Sequence, residues 1–201
     1  KLSGKKELSP MGYFNNKKHP RIGRHWLSLK LRNFYYSNHF EELFSSPICV
    51  SVNMVGTCNY TCRKCQYHSS EIVKRKKFDV MDFDKCKIVV NKLSKDFKDL
   101  QAIYPCISGE PLLHPDMVKI VDLIRSKGIH CGFTTNASML SRQKSRELVK
   151  AGITSLAFSL DTTDKKKYEY LQYGGDLKTV EKNILDFKNE FLKHNNYFSA
   201  T

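Results

Sequence analysis

Ile48-Cys49-Val50-Ser51-Val52-Asn53-Met54 alternates as a short strand and leads into Cys58-Asn59-Tyr60-Thr61-Cys62-Arg63-Lys64-Cys65. A strand that delivers three cysteines to the loop at its carboxyl end sets a form that the rest of the chain repeats. Leu100 to Ile107, Ile129 to Thr134 and Ile153 to Leu160 read as three further strands. Helical periodicity fills the gaps. Asp82 caps a helix with Phe83, Cys86, Val89, Val90, Leu93 and Phe97 on one face. His114-Pro115-Asp116 opens another through Val118, Val121 and Ile124, which Gly128 closes. Ser141 caps a third that stops before Gly152, and a short helix spans Lys165–Leu171. Asp176 caps the last, striped by Leu177, Val180, Ile184, Phe187 and Phe191.

Short apolar strands, each followed by helix, predict an α/β fold of βα units around a parallel sheet. Functional sites in such sheets gather at the carboxyl ends of the strands. The unusual residues stand there: the cysteine loop, Ser108-Gly109-Glu110-Pro111, Thr134-Thr135-Asn136-Ala137 and Ser159-Leu160-Asp161.

The 201 residues allow one substantial core, and 40% apolar with 27% charged residues is ordinary globular composition. No apolar run approaches the ~18–20 residues of a membrane span, and no signal-peptide core follows Lys1–Lys6. A cytoplasmic protein without a membrane role is expected. Net charge is +14, from 34 basic and 20 acidic residues. The basic residues are spread, densest at 1–32, Lys74–Lys77 and Lys165–Lys167, without aromatic interleaving. That pattern reads first as a solvated surface and leaves nucleic acid open as a partner. Residues 1–47 form a basic arm with a helical lead-in over 25–44, and 48–201 form the core.

Seven cysteines, three of them within eight residues, do not describe a secreted disulfide scaffold. Cys49, Cys86, Cys106 and Cys131 sit among apolar residues and read as small core side chains. The C-x3-C-x2-C triplet can instead wrap three corners of an iron–sulfur cubane, leaving one iron without a thiolate and open to an exchangeable ligand. A structural zinc site on the same thiols plus His68 is the alternative ligation, and a non-catalytic zinc or iron–sulfur binding module with a basic, nucleic-acid-gripping surface is the alternative function. The later strand ends are not explained by zinc.

These motifs, taken in order, resemble those of the radical S-adenosylmethionine enzymes. The resemblance implies a partial (β/α) barrel with parallel strands and outer helices, a [4Fe–4S] cluster on Cys58, Cys62 and Cys65, and S-adenosylmethionine chelated to the open iron. Ser108-Gly109-Glu110-Pro111 is similar to the family's Gly-Gly-Glu-Pro strand end, where backbone and acid receive the cofactor's amino group; Ser108 departs from the first glycine. Thr134 and Asn136 are similar to Thr-Thr-Asn-Gly, and Ser159 and Asp161 to Ser-x-Asp. By that likeness Thr134 faces the barrel centre and Ser159 contacts cofactor ribose or carboxylate. Asn136 as a turn former and Asp161 as a helix cap are the plainer readings. Lys64 stands where the family often has an aromatic or apolar residue, and Tyr67 is the candidate to replace that packing.

The resemblance further implies an enzyme in which a reduced cluster cleaves S-adenosylmethionine to a 5′-deoxyadenosyl radical that abstracts hydrogen from substrate. The electron comes from a flavodoxin- or ferredoxin-like donor, and the substrate is a peptide or small molecule. No catalytic side chain is assigned. Gly-Glu-Pro-Leu-Leu-His-Pro-Asp has the style of the branch with SPASM or twitch extensions, none of which is present. Four βα units, with a fifth strand beginning at Tyr197, suggest a barrel incomplete at its C-terminus.

Overall fold

A computed structural model describes residues 47–70 and 79–194. The helical lead-in over 25–44 and the strand expected from Tyr197 lie outside the described residues. The chain divides into two compact units, Lys1–Pro47 and Ile48–Thr201, and the elements below all belong to the second.

Strands β1 (Cys49–Ser51), β2 (Ala102–Tyr104), β3 (His130–Thr135) and β4 (Ser155–Phe158) make one parallel sheet in the order β1-β2-β3-β4. Helix α1 (Phe83–Asp96) joins the first pair, α2 (Met117–Ser126) the second and α3 (Arg142–Lys150) the third; α4 (Lys165–Leu171) and α5 (Leu177–Leu192) follow β4. Strand order that follows chain order has no switch point, so this is a singly wound barrel segment, not a doubly wound sheet. The expected partial (β/α) barrel is the observed architecture.

The strands are shorter than their apolar runs. Pairing continues past β1 without a regular ladder: the Val52 amide reaches the Tyr104 carbonyl at 2.8 Å and the Met54 amide the Pro105 carbonyl at 3.1 Å. Alternation then sorts the side chains. Ile103, Cys131 and Phe133 are buried and join Val50, Leu156 and Phe158 in a core with Val90, Ile120, Ile124, Leu148, Val180 and Phe187 from the helices. Ser51, Tyr104, Thr134, Ser155 and Ala157 are exposed on the other face. A parallel sheet covered on both sides would be apolar throughout; among the described residues this one is covered on one.

That alternation corrects one expectation. Cys86 and Cys131 are buried, but Cys49 is exposed and Cys106 only half-buried. Cys49 shares the period-two face of Ser51, which carries it to the open side.

Local capping rules fix the helix starts. Asp82, Ser141 and Asp176 accept the amides of Lys85 (2.8 Å), Lys144 (3.2 Å) and Thr179 (3.0 Å). Asp164, not Asp161, caps α4, accepting the Lys167 amide at 2.9 Å. Gly128, with φ 71°, follows α2 in the left-handed region that a glycine adopts without a Cβ penalty. No helix among the described residues is long and apolar enough to cross a membrane.

Helix α5 is tied to α3 by charge. Glu190, 4% exposed, takes Lys193 Nζ (3.0 Å), Arg142 Nε (3.2 Å) and Arg146 Nε (3.3 Å) on one carboxylate oxygen. The hydrogen bond from Lys193, then that from Arg142 and the charge of Arg146, pull the carboxyl down to about 2 from its ordinary 4.5. A depressed carboxyl stabilises the fold above pH 4.5, and that contribution is lost as pH falls towards about 2. Urea titrations at pH 7 and pH 3 will show a smaller acid-induced loss in Glu190→Gln than in the parent. Equal losses would remove Glu190 from the acid response.

Candidate cluster and cofactor site

Gly109 brings the end of β2 against the chain that leads into the cysteine loop. A Cβ there would lie 2.4 Å from the Val55 carbonyl oxygen and 2.5 Å from that of Thr57, both backbone atoms. Only glycine permits this approach. The next amide, Glu110 N–H, then donates to the Thr57 carbonyl at 2.7 Å. Asn53, two residues beyond β1, fastens the same segment: its amide oxygen accepts from Ile107 (3.1 Å) and Ser108 (3.2 Å) N–H, and its NH₂ donates to Ser108 Oγ at 3.0 Å. A glycine at position 108 would lack that last contact.

Glu110 is 2% exposed. Its carboxylate accepts from Thr135 Oγ1 (2.6 Å), Asn136 N–H (2.8 Å) and Leu112 N–H (3.2 Å). Burial pushes its pKa up from the ordinary carboxylate value, and these three donors oppose that rise. The side chain therefore binds the end of β2 to the end of β3.

The cysteine loop is held in turn by β3. Asn136 Nδ2 donates to Asn59 Oδ1 (2.9 Å), Asn59 Nδ2 to Ser138 Oγ (2.8 Å), and Ser138 Oγ back to Asn136 Oδ1 (2.7 Å). This closed ring of three side chains ties the residue after Cys58 to the third strand end. Asn136 Oδ1 also accepts the Ser138 amide at 3.0 Å, the turn-forming role its residue type suggests. Lys64 meets Asp161 at 2.6 Å, which joins the loop to the fourth strand end.

All three thiols lie on this loop, each half-buried. Cys58 Sγ accepts the Tyr60 amide (3.5 Å), and Cys65 Sγ the amides of Tyr67 (3.4 Å) and His68 (3.2 Å). Burial, then the charges of Cys58 and Cys65, push Cys62 up to about 11. Burial also raises Cys58, with Glu110 and Cys65 adding to the effect. Sulfurs that burden one another and accept amide donors suit a shared cationic iron centre. Among the described residues no three His, Cys, Asp or Glu side chains converge as one metal ion requires, and this holds for the three cysteines alone as it does for a set with His68.

Thr134 is exposed on the open face, in register with Ala157. Ser159 is exposed beyond β4, its amide on the Thr135 carbonyl at 2.9 Å and its carbonyl accepting Gln172 Nε2 at 2.6 Å. Pro111 is buried and begins the 3-10 turn Pro111–Leu113. The structure thus brings Ser108, Gly109, Glu110, Pro111, Thr134, Asn136, Ser159 and Asp161 to the same rim as the cysteine loop. Asn53, Asn59, Ser138 and Gln172 were absent from the sequence-based set. Their partners are mostly on other elements, and no local motif marks them.

The Radical SAM superfamily model matches residues 52–199, and the chain belongs to that superfamily. Its members use a [4Fe–4S] cluster and S-adenosylmethionine, the two cofactors expected from the motifs. A GTP 3′,8-cyclase of Peptoclostridium acidaminophilum is 32% identical over 135 residues, covering 66% of this chain and 40% of that protein. Streptococcus suis SuiB bound to S-adenosylmethionine superposes with TM-score 0.62 at 16% identity, over 84% of this chain and 37% of that one. The anSMEcpe enzyme with bound AdoMet gives TM-score 0.61 at 20% identity, over 72% and 42%. The chain spans about 40% of the length of the cyclase. The SPASM or twitch branch is not singled out.

Two substitutions test the rim. Gly109→Ala will displace the 55–57 backbone and lower the thermal midpoint, because no flexible side chain is there to yield. Glu110→Gln sets an amide donor against a buried donor and will cost about 1–3 kcal/mol in urea unfolding. A parent-like midpoint in Glu110→Gln would deny the carboxylate its bracing role.

Proposed function

We propose that Cys58, Cys62 and Cys65 hold the [4Fe–4S] cluster and that the neighbouring strand ends bind S-adenosylmethionine. One observation carries this reading: the thiol-bearing loop is tethered to the ends of β2, β3 and β4 at once. When bound and reduced, the cluster supplies reductive cleavage of S-adenosylmethionine to methionine and a 5′-deoxyadenosyl radical, which takes hydrogen from substrate.

The chain's own residues position that chemistry. Ser108, Gly109, Glu110 and Pro111 present backbone and a buried negative charge to the cofactor's ammonium group. Both Glu110 oxygens already accept protein donors. Its part is therefore to hold the strand end and supply charge. The Thr134 and Ser159 side chains are exposed at the rim for cofactor or substrate, while Asn136 and Asp161 hold the loop. An external one-electron carrier, flavodoxin- or ferredoxin-like, supplies the electron, and a peptide or small molecule is the substrate. The cyclase likeness covers only part of that protein, and its substrate is not carried over to this chain.

Anaerobic reconstitution with iron and sulfide will give a brown protein, and Cys62→Ala will lose the colour and most of the bound iron. Reduced parent protein will then convert S-adenosylmethionine to 5′-deoxyadenosine. A colourless protein holding a single zinc would reject the cluster assignment.

A further inference from the structure

The outer side of the cysteine loop is built onto the segment that ends α4. The Thr61 amide donates to the Tyr173 carbonyl at 3.0 Å, and the Arg63 amide to the Leu171 carbonyl at 3.0 Å. Arg63 Nε donates to the Tyr170 carbonyl at 2.9 Å, and its guanidinium lies 4.2 Å from the centre of the Tyr170 ring. The residues flanking Cys62 are thus bonded directly to a surface segment. Tyr170 and Tyr173 are 61% and 62% exposed there.

Beside this segment is an apolar-floored hollow of about 420 Å³, lined by Thr162, Lys166, Lys167, Tyr170 and Leu171. Its charge is uneven. Lys64 is paired with Asp161 and Lys165 with Glu169. Lys166 and Lys167, both exposed, have no ion pair with any described residue. Of the nearby acids outside these pairs, Asp164 caps α4 through the Lys167 amide and Asp176 caps α5 through the Thr179 amide. An aromatic and arginine centre with a lysine rim is the composition of a docking patch for an acidic protein.

We infer that Arg63, Lys166, Lys167, Tyr170 and Tyr173 form the docking surface for an acidic one-electron carrier protein. The inference rests on the cluster assignment above. One electron leaves the reduced carrier and one arrives at the cluster, with no bond made or broken and no proton required. Docking here puts the carrier against the two residues that flank Cys62, while the open face of the sheet stays free for substrate. The unpaired lysines speed encounter and fix orientation.

The test uses the reconstituted chain and an acidic plant-type [2Fe–2S] ferredoxin. Lys166→Glu/Lys167→Glu keeps the helix intact, since acids in a first turn suit the helix dipole. It will bind oxidised ferredoxin at least about tenfold more weakly at low salt and be reduced by it about tenfold more slowly. The difference will shrink as salt screens it. Reduction by dithionite, which needs no docking, will be unchanged. Lys95→Glu/Lys98→Glu makes the same charge change near the opposite rim of the sheet and will behave like the parent.

Parent-like binding and reduction in Lys166→Glu/Lys167→Glu overturn the surface, including the case in which an acidic substrate binds there instead. Equal losses in both double variants overturn it in favour of net charge alone. A parent protein that never assembles a cluster would overturn the proposed function along with it, and its missing colour distinguishes that failure from the others.

Discussion

Burying a carboxylate is expensive unless donors surround it, and Glu110 meets that condition with groups from two different strand ends. Thr135 and Asn136 can supply their hydrogen bonds only if β3 ends level with β2. The Glu110 amide can reach the Thr57 carbonyl only if the cysteine loop enters at the same height. A single buried charge thus constrains three segments, and its cost if left unmet is what makes the constraint stiff. Charge and geometry act together here, since the carboxylate also bears on Cys58.

The remaining tethers use weaker interactions in larger number. The Asn59–Ser138–Asn136 ring is neutral, so it orients the loop without adding to the charge among the thiols. Lys64–Asp161 is partly exposed, with 60% and 33% of the side chains accessible, and salt will weaken it. Both act on residues adjacent to cysteines. A loop of irregular backbone bearing three thiols would otherwise be free to rearrange. Tethers at both ends of the triplet preorganise it for a ligand of fixed shape.

How much of this was legible in the sequence follows the range of each interaction. Helix starts at Asp82, Ser141 and Asp176 were readable because a cap and its amide are three residues apart. The four strand-end motifs were readable because each is a contiguous segment. Cys49 was misplaced because apolar neighbours were weighed above the period-two alternation that puts it beside Ser51 on the open face. Asp161 looked like a cap, but Asp164 stands nearer the helix and takes the amide. The ring partners Asn59 and Ser138 are 79 positions apart, and Arg63 and Tyr170 are 107. No local rule could have paired them.

Cofactor and substrate place different demands on the same rim. The end of the rim proposed for the cofactor is heavily fixed, by a buried carboxylate, a closed ring of side chains and an ion pair. The open face of the sheet carries mainly small side chains, Ser51, Thr134, Ser155 and Ala157, with Tyr104 the large one. Its strands contain no Asp, Glu, Lys or Arg. Such a face leaves room for a reacting molecule without choosing it by charge. Selectivity among charged substrates must therefore come from loops or from residues outside these four strands. Under the proposed function, the generation of the radical and the choice of its target are separable: tethers among strand ends would serve the first, and groups that these four strands do not provide would serve the second.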